Sequence, residues 1–147
     1  MTQILAIDPG PTQSAYVVYD EYPDAFGIVP NEEMLREIIP QHTGRRLAIE
    51  MVASYGMAVG REVFETCVWA GRFLQAHGGI PILVYRKDVK MHLCHSMRAK
   101  DANIRQALID RFGAPGTKKS PGVTYGISRD VWAALAVAVF AADSLDS

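Results

Sequence analysis

Cysteine is scarce in this chain of 147 residues. Cys67 and Cys94 are the two it has, each in an apolar or helix-like segment, and no framework of spacings supports a disulfide-held fold. Both are expected as reduced thiols. Long hydrophobic runs are missing as well: the longest strongly apolar stretch, residues 131–142, is too short to cross a bilayer. The first ten residues lack the basic region that opens a signal peptide, so a soluble, cytoplasmic protein with no membrane partner is expected. Twelve glycines and eight prolines fall below disordered or collagen-like levels, while 49% hydrophobic residues suffice for a core. With no internal repeat and no linker, one domain over residues 1–147 is expected.

Charge of one sign is not in excess overall, the net being -1, but its distribution is lopsided. Residues 20–50 carry seven acids against three bases, whereas residues 86–119 carry nine bases against three acids. A local basic stripe is the electrostatic footprint of a polyanion, although a solvated helix face gives the same pattern.

The first half reads as strands. Residues 4–8 form a short apolar run ended by Asp8-Pro9-Gly10-Pro11, residues 14–20 are rich in Tyr and Val, and residues 25–29 complete an antiparallel meander. Asn31, as an N-cap before Glu32 and Glu33, starts a short helix stopped by Pro40. A strand over 46–50, a helix over 60–77 ended by Gly78-Gly79, and a strand over 80–85 follow. A helix over 100–112, a turn-rich loop over 116–126 and an alanine-rich helix from about residue 128 finish the chain. The order describes an α/β domain, a mixed sheet with helices packed on it.

Asp8 closes one apolar run and Glu50 another, which places both carboxylates at strand ends. If those strands are parallel neighbours, both acids emerge on the sheet edge where open α/β domains bind ligands. Asp130 is expected in the first turn of the last helix, where the helix dipole favours negative charge. Three converging carboxylates repel, so the arrangement persists at low cost around a divalent cation, and oxygen-only ligands point to magnesium or manganese. Such a site hydrolyses phosphodiesters. Each residue also has a plain reading: Asp8-Pro9-Gly10 as an ordinary turn, Asp130 as a helix-start residue. His92, Cys94 and His95 lack the further partners a zinc site needs. Trp69, Trp132 and Phe140 lie on apolar helical stripes and read as core or dimer interface.

The ordered combination resembles the RuvC-like Holliday junction resolvases of the RNase H-like superfamily. Ile4-Leu5-Ala6-Ile7-Asp8-Pro9-Gly10 is similar to that family's first strand, and Ala48-Ile49-Glu50-Met51-Val52 to its central strand with the catalytic Glu. Trp69-Ala70-Gly71-Arg72 falls where its next helix has a glycine, and Val89-Lys90 with Arg98-Ala99-Lys100-Asp101-Ala102 is similar to its basic segment. Asp130 followed by Ala134-Leu135-Ala136-Val137-Ala138 is similar to its acid-bearing last helix. The likeness spans residues 3–142.

The resemblance implies an RNase H-like mixed five-stranded sheet, three antiparallel strands then parallel ones, flanked by helices. It implies a homodimeric, magnesium- or manganese-dependent endonuclease that cuts branched DNA, most plainly four-way junctions, leaving 5′-phosphate ends. Asp8, Glu50 and Asp130 become the metal-binding catalytic acids. Lys90 and Lys100 become backbone-facing bases; from the basic stripe, Arg98, Arg105, Lys118 and Lys119 are expected to neutralise further phosphates, Tyr55 either stacks on a base or only packs, and the helix over 60–77 is the candidate interface. The chain departs from the family at three points: Ala133 stands where a second acid or histidine is usual, Ala53 where an aromatic is usual, and Asp101 where a base is usual. An RNase H-like module that binds structured nucleic acid without cutting it is the alternative. One lobe of an actin-like phosphotransfer protein is a third reading, but 147 residues hold only one lobe.

Overall fold

The computed structural model describes residues 3–146. Five strands form one sheet in the order β3-β2-β1-β4-β5: β1 (Gln3–Asp8), β2 (Gln13–Asp20), β3 (Pro23–Pro30), β4 (Arg46–Met51) and β5 (Ile82–Tyr85). β1, β2 and β3 pair antiparallel, whereas β4 pairs parallel to β1 and β5 parallel to β4. This is the three-antiparallel-then-parallel sheet that the resemblance implied. β5 begins later than expected, at Ile82, because Pro81 has no N–H for a ladder.

Strand pleating sorts the apolar residues onto two faces. Ile4, Ala6, Ala15, Val17, Ala48 and Val84 pack on one face under α5 (Val131–Asp146), with α3 (Arg86–Cys94) and α4 (Asp101–Phe112) beside it. Leu5, Ile7, Val18, Leu47 and Ile49 pack on the other under α2 (Arg61–His77). α5 is apolar around its circumference and nine of its residues are buried, so it lies across β1 and β2 as the central helix of its face. α2 ends as read from the sequence: Gly78 takes the left-handed conformation at φ 79° and its N–H donates to the Leu74 carbonyl at 3.2 Å.

Asn31 does not cap its helix. It is buried at the start of α1 (Asn31–Glu33), which continues as a π-wound turn over Met34–Ile38 and a tight turn over Pro40–His42. Its side chain serves the turn after β1 instead. Ser14 Oγ donates to Asn31 Oδ1 at 2.5 Å, Asn31 Nδ2 donates to the Gly10 carbonyl at 2.9 Å, and Gly10 N–H donates to Ser14 Oγ at 3.1 Å. This closed ring fixes the chain just past Asp8. Gly10 is required there, because a Cβ would collide with the Gln13 carbonyl.

Two further expectations are corrected. Residues 86–94 form α3, which the sequence did not announce because only Val89 is fully buried on a helix otherwise made of polar, charged and partly covered residues. The last helix starts at Val131 rather than 128, since Arg129 adopts a left-handed φ of 52° that no helix continues through. Asp130 therefore precedes the first turn, its carbonyl accepting from Ala134 N–H at 3.1 Å. Both cysteines are free thiols. Among the described residues no helix is long and apolar enough to cross a membrane.

Candidate active site

Asp8 is the last residue of β1 and Glu50 the fifth of β4, and the strands are in parallel register through the pairs Ala6 with Ala48 and Ile7 with Ile49. Alternation from Ala6 and Ala48 puts both carboxylates on the α5 face, side by side. Their charges act directly on one another. Burial pushes the Asp8 carboxyl well above the ordinary range, and the charges of Glu50 and Asp130 push it further. Burial also raises Glu50, while Arg86 opposes that shift. Asp130 stands exposed at the N-terminus of α5 and lines the same cleft, which encloses about 250 Å³.

The cleft holds cations that the sequence reading passed over. Arg86, the residue after β5, places Nη1 3.5 Å from Glu50 Oε1 and pairs through Nη2 with Asp101 at the first turn of α4. Although burial works against the guanidinium's charge, Glu50 and Asp101 more than compensate and hold its pKa above the ordinary value. Arg129 and Trp132 also line the cleft. The signal for Arg86 was its place directly after Tyr85, on the edge where β1 and β4 present their acids. Three helices begin at this cleft, α3 at Arg86, α4 at Asp101 and α5 at Val131. Their N-terminal dipole ends favour an anion there.

The donor set fits one divalent cation. Glu50 Oε1 is buried without a hydrogen-bond donor, since 3.5 Å from Arg86 is a Coulombic contact rather than a good hydrogen bond. With Asp8 beside it, two half-buried carboxylates suit a hard ion of the magnesium kind, which takes one or two carboxylates and fills its shell with water and phosphate. Among the described residues no group of three or more His, Cys, Asp or Glu is placed to hold a metal, so Asp130 does not join the Asp8 and Glu50 pair as a third ligand here. Ala133 lines the cleft without offering a ligand.

Other expected contacts fall in several places. Tyr55, 60% exposed on the loop after β4, joins Lys90, Lys87, Met97 and Arg86 around a hollow of about 170 Å³ next to the cleft. Arg98 lines a separate hollow with Cys94 and Asn103. Lys100 is exposed just before α4, its N–H donating to Asn103 Oδ1 at 2.9 Å, and Arg105 is exposed on α4. Lys118 and Lys119 are exposed at the tip of a loop pinched by the bridge between Gly116 and Pro121. His92 is not near a metal set: its Nε2 lies 2.6 Å from Asp143 Oδ2. Trp69 packs on the α2 core beneath Arg72, and Phe140 packs on the α5 core against His92.

No protein-family model and no curated protein matches the chain. Solved structures do match. The chain is similar to Thermus thermophilus RuvC at 17% identity with a TM-score of 0.69, over 99% of this chain and 96% of that one. It is also similar to T. thermophilus RuvC in complex with a Holliday junction substrate, at 16% identity with a TM-score of 0.74, over 99% of this chain and 95% of that one. Sheet order, strand directions and near-complete coverage agree, and the chain has the RuvC-like RNase H fold.

Proposed function

We propose that this protein is a metal-dependent endonuclease that resolves four-way or related branched DNA by phosphodiester hydrolysis. The observation that carries the reading is the half-buried pairing of Asp8 and Glu50 on neighbouring parallel strands, at a cleft where three helices begin. The fold's likeness to a RuvC structure bound to a Holliday junction supports the choice of substrate. Asp8 and Glu50 would hold one magnesium or manganese ion, which when bound supplies Lewis acidity toward a phosphoryl oxygen. Asp130, lining the same cleft, orients the water that attacks phosphorus. A new bond from the water oxygen to phosphorus replaces the bond from phosphorus to O3′, leaving a 5′-phosphate and a 3′-hydroxyl. The water proton passes to solvent, and O3′ takes one from it.

Helix N-termini and the cleft arginines receive the scissile phosphate, while Lys90 and Tyr55 receive a neighbouring nucleotide. Arg98, Lys100, Arg105, Lys118 and Lys119 neutralise phosphates farther along the arms. A two-fold junction presents two scissile strands, so a homodimer suits it, with the exposed Phe64 and Val68 of α2 as the interface.

One observation favours a second reading, a module that binds branched DNA without cutting it: Ala133 leaves the cleft one potential ligand short. The two readings separate in a single experiment. Labelled four-way junction and linear duplex are incubated in magnesium with the native protein and with Asp8→Asn. Junction-selective nicking that disappears in Asp8→Asn is expected. Intact junction with undiminished binding in both proteins leaves the binding module.

A further inference from the structure

Arg86 is not an ordinary surface ion pair. Its side chain is 27% exposed and borders both the acidic cleft and the adjoining hollow with Tyr55 and Lys90. Its two partners differ sharply. Glu50 is 17% exposed and belongs to the acid pair, whereas Asp101 is 85% exposed and sits on the first turn of α4. A guanidinium held on one side by a solvated carboxylate is free to exchange that partner for a phosphate, which accepts the same planar fork. Ala133 on the cleft wall offers no ligand, and of the two remaining cleft acids Asp101 is engaged by Arg86, so a second cation would have Asp130 alone beyond the acid pair. Hydrolysis adds negative charge at phosphorus, and one ion on Asp8 and Glu50 neutralises only part of it.

We infer that Arg86 is a catalytic residue, a fixed cation that contacts the scissile phosphate in the place a second metal ion would take, with Asp101 as its resting partner when DNA is absent. The inference rests on the nuclease reading and deepens it. Arg86 follows β5 directly and opens α3, so its backbone is set by the sheet while its side chain reaches the cleft. When a phosphate oxygen displaces Asp101, the Glu50 contact keeps the guanidinium aligned with the acid pair.

The test is single-turnover cleavage of a synthetic four-way junction by the native chain, Arg86→Ala, Arg86→Lys and Asp101→Asn. Removing one electrostatic stabiliser of a transition state costs about 100-fold or more in rate, and that loss is expected for Arg86→Ala with junction affinity largely kept. Arg86→Lys recovers part of the rate but not all, because an ammonium lacks the planar fork. Free guanidinium, well below denaturing concentrations, restores Arg86→Ala and leaves Asp8→Asn inactive. Asp101→Asn removes the carboxylate that the phosphate must displace, so tighter junction binding is expected of it. Manganese titration followed by electron paramagnetic resonance needs no cleavage and should count one ion per chain in the native protein and in Arg86→Ala. Ala133→Asp should take up a second ion, and Arg86→Ala should cost far less in that background.

Native-like cleavage by Arg86→Ala, failure of free guanidinium to restore it, or two manganese ions on the native chain would each overturn the inference while leaving the nuclease reading intact. Native protein that binds the junction and never cuts it overturns both.

Discussion

Asp8 and Glu50 stand side by side on neighbouring parallel strands, where desolvation pushes each carboxyl to hold its proton. A raised carboxyl pKa means the folded state binds more protons than the unfolded chain, so stability falls as pH rises through the folded-state value. At neutral pH the pair therefore works against folding. Asp8→Asn removes one charge and sets an amide donor beside the Glu50 carboxylate. Thermal unfolding at neutral pH should show a gain of about 1 kcal/mol in this variant, with cleavage abolished. A lower melting temperature than the native protein would contradict it.

Much of this site was legible in the sequence, because pleating is strictly two-residue. Small Ala6 and Ala48 precede Asp8 and Glu50 by one pleat each, and an alanine-rich helix covers them, so one face had to carry both acids. The place of Arg86 at the end of β5 was legible, but its partners and α3 were not. A helix with one fully buried residue has a faint apolar period, and the partners of Arg86 come from β4 and α4, which only the folded chain brings together. Asn31 misled for a related reason: its residue type fits a cap, but a tertiary partner at Gly10 took its side chain.

That ring of Gly10, Ser14 and Asn31 should be costly to break. Asn31→Ala leaves the Ser14 hydroxyl without its acceptor inside the fold, a penalty of about 1–3 kcal/mol. Urea unfolding should show that loss, and cleavage should fall as well, because the turn it fixes follows Asp8 directly.

Asp143 gathers Arg111 in a two-pronged pair at 2.7 and 2.8 Å and His92 at 2.6 Å, tying α3, α4 and α5 together. The Arg111 hydrogen bonds hold the Asp143 carboxyl below its ordinary value of 3.8; burial opposes the shift and His92 assists it. A lowered carboxyl pKa contributes stability above the unfolded value that is lost as pH falls through the folded one. Partial exposure keeps the contribution to about 1 kcal/mol. Asp143→Asn should therefore be destabilised at neutral pH and match the native protein only in strong acid, below the ordinary carboxylate range. A deficit that persists there would mean lost packing rather than lost charge.

Binding should carry the salt signature of phosphate contacts. Each lysine that neutralises one phosphate contributes about 0.9 to the slope of log affinity against log salt. Lys118→Ala with Lys119→Ala should lower that slope by nearly two and leave the cleavage positions unchanged, since neither side chain lines the cleft. Fluorescence anisotropy with labelled junction across a salt series measures it.

α2 presents Phe64 and Val68 to solvent at 61% and 63% exposure, one helical turn apart, while its other face carries Phe73 and Ala70 into the core. Val68→Glu should cost the folded chain less than about 0.5 kcal/mol, because an exposed site away from caps and core tolerates substitution. If α2 joins two copies around a two-fold axis, each introduced carboxylate meets its own symmetry mate or the apolar Phe64 beside it, and the dimer is penalised twice. Sedimentation should then find the native protein as a dimer and Val68→Glu as a monomer of unchanged melting temperature. Cutting should shift from paired nicks to single, uncoordinated ones, because each monomer still carries a complete set of Asp8, Glu50 and Asp130. A native chain that sediments as a monomer at every concentration, with and without junction DNA, would remove α2 from the account and leave the acid pair untouched.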